Sequence, residues 1–155
     1  MKILILVHPG SLCGSANFNL GQQDARVVRK LVIEDLQCWR GSVLVLDGEL
    51  SDELGDYPAL QASIDDVVAR AAGFGQRIQA DDPDHAQLAV AFLQQQEVAG
   101  DVPISLTGAW YDPTGASGCI NATRDALAGA GFRQLALMDS CAVLSPYEIV
   151  CELSP

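Results

Sequence analysis

The chain reads as an α/β protein, a three-layer α/β/α sandwich around a mostly parallel, doubly wound sheet, and three observations predict this. Apolar runs bounded by turn residues recur along the sequence, at Ile3–Val7, Val43–Leu46, Gln76–Ile78, Val102–Thr107 and Gln134–Met138. Stretches with helical spacing lie between them. The runs are continuous in apolar character rather than alternating, which marks strands covered by helices on both faces.

Each element has its own local reason. After the first strand, Ala25, Val28, Leu31, Val32 and Leu36 fall on one helical face and Arg26, Arg29, Lys30 and Asp35 largely elsewhere, with Asp24 placed to cap the helix. Pro58–Ala72 gives a second helix with Leu60, Ile64, Val67 and Val68 inward, stopped by Gly73 and Gly75. Pro83–Gln96 gives a third, whose apolar positions are Leu88, Val90, Ala91 and Leu93. The fourth spans Ala116–Ala130, with Ser117 as its expected N-cap, Ile120, Ala122, Leu127 and Ala130 as apolar positions, and Gly131 as its stop.

Composition bounds the function. The 155 residues suit one domain, 1–155, and 49% apolar with 19% charged residues describes a soluble protein with a single core. A formal charge of -11, from 9 basic against 20 acidic residues, argues against nucleic acid and anionic membrane as partners and leaves small molecules or proteins. The opening MKILILV is too short for a signal-peptide core, and no apolar run approaches the ~20 residues of a membrane span, so a cytoplasmic location is expected. Five cysteines, Cys13, Cys38, Cys119, Cys141 and Cys151, show no C-x-x-C spacing and indicate neither a disulfide frame nor a zinc cluster; most are read as small buried hydrophobes.

In such a sheet, ligands bind beyond the carboxyl ends of the strands, where His8, Asp47, Ala80 to Asp82, Gly108 to Trp110 and Asp139 to Cys141 emerge. Cys119 opens the helix that follows the fourth strand. A helix start carries partial positive charge and unpaired N–H groups, which bias a sulfur toward thiolate and can hold an oxyanion near Gly118 and Cys119. The same stretch carries a resemblance. Gly108, Cys119, Ile120, Ala122, Thr123, Ala126, Gly131 and Phe132, followed by Asp139, Ser140, Cys141 and Ala142, resemble the isochorismatase-like cysteine hydrolases over about a quarter of the chain.

The resemblance implies a cysteine that attacks an amide or related bond, assisted by an Asp ending the first strand and a Lys after the third. Here the first strand ends in LVHPG, the third runs into QRIQADDPDH, and the only lysines are Lys2 and Lys30. The pairing open to this chain is Cys119 with His8 as base, both at the carboxyl edge of neighbouring strands. Arg77 supplies positive charge, and Gly118, Trp110 and Tyr111 border the expected substrate pocket, although a subunit contact in a homo-oligomer explains the two aromatics equally well. The expected chemistry is hydrolysis of a small amide or carbonyl compound through a thioester. A non-catalytic binding module on the same fold is the alternative.

Two further features have plainer readings. Asp81, Asp82, Asp84 and His85 are metal-compatible in type but match no ligand spacing; they are read as a solvated helix cap with His85 facing solvent, so no metal or cofactor is expected. HPGSLCGSANFNLG is similar to the glycine-serine loop of flavodoxin-like flavin reductases and gives a third alternative, a flavin-binding oxidoreductase. The plainer reading is an ordinary βα loop in which Ser15 or Asn17 bonds locally.

Overall fold

The computed structural model describes residues 1–13, 25–50 and 55–143. In chain order these form β1 (Ile3–Val7), a 3-10 turn (Pro9–Cys13), α1 (Ala25–Cys38), β2 (Ser42–Asp47), α2 (Tyr57–Ala69) and β3 (Gly75–Gln79). They continue as α3 (His85–Gln95), β4 (Ile104–Tyr111), α4 (Cys119–Gly129), β5 (Leu135–Leu137) and β6 (Ala142–Val143). The proposed cap Asp24, the loop residues Ser15 and Asn17, and Cys151 lie outside the described residues.

The sheet runs β3-β2-β1-β4-β5, with β6 beside the end of β4, and every pairing is parallel. β1 sits at the centre because it is the most apolar strand, and all five of its side chains are fully buried. At roughly 1.5–3 kcal/mol per buried aliphatic side chain, this strand alone contributes on the order of 10 kcal/mol of gross burial energy. Its period of two divides the core. Leu4 and Leu6, with Val43 and Val45 of β2, meet Val28, Val32 and Leu36 of α1 and Leu60, Ile64 and Val67 of α2. Ile3, Ile5 and Val7, with Leu44 and Leu46, meet Ala89, Val90 and Leu93 of α3 and Ile120 and Leu127 of α4.

Helices therefore cover both faces, an arrangement compatible with the expected three layers. The strand order reverses between β1 and β4, so the switch-point crevice opens where those two strands end. Among the described residues no helix is long and apolar enough to cross a membrane.

Three details depart from the sequence reading. β4 does not stop at Thr107 but runs on through Tyr111, because Gly108 (φ 113°) lets the strand continue where its backbone presses on β1: a Cβ there would lie 2.1 Å from the Val7 carbonyl oxygen. On α1, Leu31 is exposed and Arg29 is buried, its guanidinium donating to the Leu12 carbonyl at 2.9 Å and pairing with Asp56. On α3, Leu88 and Ala91 face outward, and the inward stripe is His85, Ala86, Ala89, Val90 and Leu93.

Candidate functional site at the strand-switch crevice

The segment that delivers Cys119 is built around one buried carboxylate. Leaving β4, the chain turns so that Asp112 accepts from the backbone N–H and hydroxyl of Thr114 at 2.9 and 2.7 Å, and from the N–H and hydroxyl of Ser117 at 2.9 and 3.2 Å. These donors favour the ionised form and hold the Asp112 carboxyl below the usual range, the Thr114 hydroxyl being the strongest influence. Asn121, one turn into α4, closes the loop: Asp112 N–H donates to its Oδ1, and its Nδ2 donates to the Asp112 carbonyl, both at 2.8 Å.

Ser117 is therefore spent on Asp112 and does not cap the helix. Gly118 takes the N-cap position at φ 104°, where a Cβ would lie 2.6 Å from Asn121 Oδ1 and 2.8 Å from the Trp110 carbonyl oxygen. The peptide bond between Ala109 and Trp110 is cis. Only glycine fits position 118, and Cys119 consequently opens α4 as the sequence suggested.

His8 enters from the neighbouring strand end. It adopts φ 45°, and the conformation is held by three bonds: its N–H to the Leu46 carbonyl at 2.9 Å, its carbonyl accepting from Ser11 N–H at 3.1 Å, and Nε2 donating to the Ala80 carbonyl at 2.7 Å. Its ring lies 4.8 Å from the ring of His85, centre to centre.

His85 corrects the sequence reading, for it is 1% exposed rather than solvent-facing. The physical reason is phase. Asp81 to Asp84 form a turn in which the Asp81 carbonyl accepts from the N–H groups of Asp84 and His85, so α3 begins at His85 and its first side chain lies on the buried stripe. Nε2 of His85 donates to the Cys119 carbonyl at 3.1 Å, since a carbonyl can only accept. The neutral ring thus keeps its lone pair on Nδ1, which is buried without a hydrogen-bond partner among the described residues and lies 3.4 Å from Asp82 Oδ1.

Cys119 Sγ completes the group: ligand atoms of Asp82, His85 and Cys119 all lie within 4.8 Å of one another. Above them opens a cavity of about 280 Å³ lined by His8, Ser11, Glu49, Asp81, Asp82 and Cys119. Among these described lining residues there are three carboxylates and no Lys or Arg.

Electrostatics at the sulfur run against the thiolate bias expected of a helix start. Burial, then the charge of Asp82, pushes the Cys119 thiol up to about 11, and a hydrogen bond from the Trp110 backbone offsets only part of this. His85 is held below its usual value, chiefly by burial; the bond to the Cys119 carbonyl opposes that, His8 adds to it, and Asp82 and Asp84 oppose it.

The remaining expected site residues are placed elsewhere. Arg77 does not line the cavity. Its guanidinium grips Asp47 with two bonds of 2.8 Å, reaches Asp65 at 3.0 Å and Tyr57 at 3.3 Å, and is held above its ordinary pKa mainly by the bond to Asp47. Trp110 packs toward the α1 and α2 side of the core, and Tyr111 toward the α3 and α4 side with Arg124 5.8 Å over its ring. Cys141 is buried, its thiol donating to the Leu106 carbonyl at 3.2 Å. Most of the glycine-serine loop that suggested flavin, residues 14–21, lies outside the described residues.

His85 is the residue whose inward position the sequence reading missed, while Asp82 stays exposed beside it at the strand end. The signal was available in the small residues: Ala86 and Ala89 continue a stripe from His85 through Val90 to Leu93 at helical spacing, which places the imidazole on the inner face. Comparison with family models, with curated proteins and with solved structures finds no match to this chain.

Proposed function

We propose that the crevice is a hydrolytic site for a small amide or carbonyl compound, built on a divergent isochorismatase-like fold, with Cys119 as nucleophile. The observation that carries the reading is the convergence of Cys119 Sγ, the His85 imidazole and the Asp82 carboxylate beneath an open cavity at the switch point. His85 takes the role of base in this proposal, because its imidazole is grouped with the sulfur and its Nδ1 has no hydrogen-bond partner among the described residues, while Nε2 of His8 is committed to Ala80. His8 walls the cavity and ties itself to the end of β3 through the Ala80 carbonyl.

In the proposed reaction the thiol proton passes to Nδ1, with Asp82 beside the resulting imidazolium. The sulfur attacks the carbonyl carbon, and the first-turn N–H groups of α4, which lack acceptors within the helix, receive the oxyanion. The imidazolium returns its proton to the leaving amine or alcohol, and water then cleaves the thioester, releasing the acid and regenerating the thiol. The carboxylates of Glu49, Asp81 and Asp82 disfavour anionic substrates, so neutral or cationic ones are expected.

Exposure to a panel of small amides and activated esters, followed by intact-mass and peptide analysis, tests this. An acyl adduct on Cys119, absent in Cys119→Ser, supports it; turnover unchanged in Cys119→Ser refutes it. A second reading, a binding module without catalysis, is favoured by the burial that keeps the thiol protonated, and it is distinguished by ligand binding with no adduct at Cys119.

A further inference from the structure

The unpartnered nitrogen of His85 points to something beyond nucleophilic chemistry. Asp82 Oδ1 and His85 Nδ1 are two electron-pair donors 3.4 Å apart, and no hydrogen bond from the described residues satisfies the nitrogen, although its side chain is 99% buried. A buried imidazole lone pair left in that state costs free energy unless a proton or a cation meets it. Nε2 is already fixed, since it donates to the Cys119 carbonyl. That is the outer-shell arrangement seen when the other nitrogen of a histidine binds a metal: the backbone carbonyl sets both tautomer and ring orientation.

We propose that Asp82, His85 and Cys119 form a binding site for a borderline-soft divalent cation of the zinc type. The donor set is one thiolate, one imidazole and one carboxylate, which suits zinc or cobalt and not magnesium or calcium, whose ligands are all oxygen. Zinc bonds of about 2.0–2.3 Å place tetrahedral ligands roughly 3.3–3.8 Å apart. The present atoms lie within 4.8 Å of one another, so cation binding draws them inward by side-chain rotation, for which Asp82, the most exposed of the three, has the most room. Cys119 and Asp82 both line the cavity, so the fourth position faces it and is open to water or an exchangeable ligand. The inference stands without the hydrolase reading, and it adds a consequence to it: a sulfur bound to metal cannot attack a carbonyl, so cation loading masks the nucleophile.

The test uses the full chain, stripped with a chelator and titrated with cobalt(II) alone. A near-ultraviolet sulfur-to-cobalt charge-transfer band saturating at one equivalent is expected, and zinc should displace it. Cys119→Ser should lose the band, and Asp82→Asn, which alters an exposed side chain and leaves the fold intact, should weaken binding tenfold or more. In parallel, peptide-resolved iodoacetamide labelling of Cys119 should slow at least tenfold with zinc and recover with chelator. Absence of the band, its persistence in Cys119→Ser, or labelling indifferent to zinc would each overturn the site. None of these readouts requires turnover, so an acyl adduct on Cys119 in stripped protein, or its absence, bears on the hydrolase separately.

Discussion

Replacing Asn121 by Ala removes the clamp that shapes the approach to Cys119, and the cost can be worked from its two bonds. Asp112 N–H and the Asp112 carbonyl each lose a 2.8 Å partner in a place where Asn121 and Asp112 are 3% and 1% exposed. A buried backbone group stranded in this way costs about 1–3 kcal/mol, so the pair should cost roughly 2–6 kcal/mol. Against a typical total of about 5–15 kcal/mol this is severe but survivable. Urea unfolding followed by far-ultraviolet circular dichroism should show an unchanged slope and, with a slope of about 2 kcal/mol per molar, a midpoint lower by about 1–3 M. A shift below roughly 0.3 M would refute the view that this side chain holds the loop. The variant should also speed alkylation of Cys119, because the loop that buries the sulfur loosens.

The acid limb of stability should depend on Asp112. Its folded-state pKa is depressed, so its contribution is present above the ordinary carboxylate value of about 4 and is lost as pH falls through the folded-state value; Asp112→Asn should therefore be less stable at pH 7 and converge on the parent as the pH falls below the carboxylate range in urea titrations. Gly108→Ala meets the Val7 backbone at the sheet's centre and should yield little soluble folded protein, whereas Gly129→Ala, with open space at its Cβ position, should express normally. Leu6→Ala should cost about 2–5 kcal/mol by chemical denaturation, since the side chain is fully enclosed between β1 and the α1–α2 layer. Thiol labelling resolved by peptide mass should modify exposed Cys38 well before buried Cys13 and Cys141, the last also pushed up to about 11 by burial.

The alternation of parallel strands with helices, the place of His8 just beyond β1 and the helix start at Cys119 were legible because they follow from apolar continuity and from the turn residues between the runs. The length of β4 was not, because Gly108 reads locally as a stop and only the close approach of β1 shows why the strand passes through it. Arg29 shows a similar limit. A charged residue reads as solvent-facing until a buried carbonyl and a carboxylate from other segments are found to meet its guanidinium. The phase of α3 turned on two residues, and an offset of that size is enough to swing an imidazole from solvent into the crevice. Arg77 was assigned to substrate on charge alone, while its carboxylate partners, Asp47 and Asp65, lie 30 and 12 positions away in sequence.

One peptide oxygen, that of Cys119, accepts from Nε2 of His85 and from Oγ1 of Thr123. Two helices from different parts of the chain are thereby pinned to a common anchor, and the aim of the imidazole is slaved to the first turn that carries the sulfur. Alteration of Thr123, a residue that does not line the crevice, would be transmitted to the nitrogen's direction. Tuning of such a centre is open to remote substitution, without any exchange of the groups that meet the ligand.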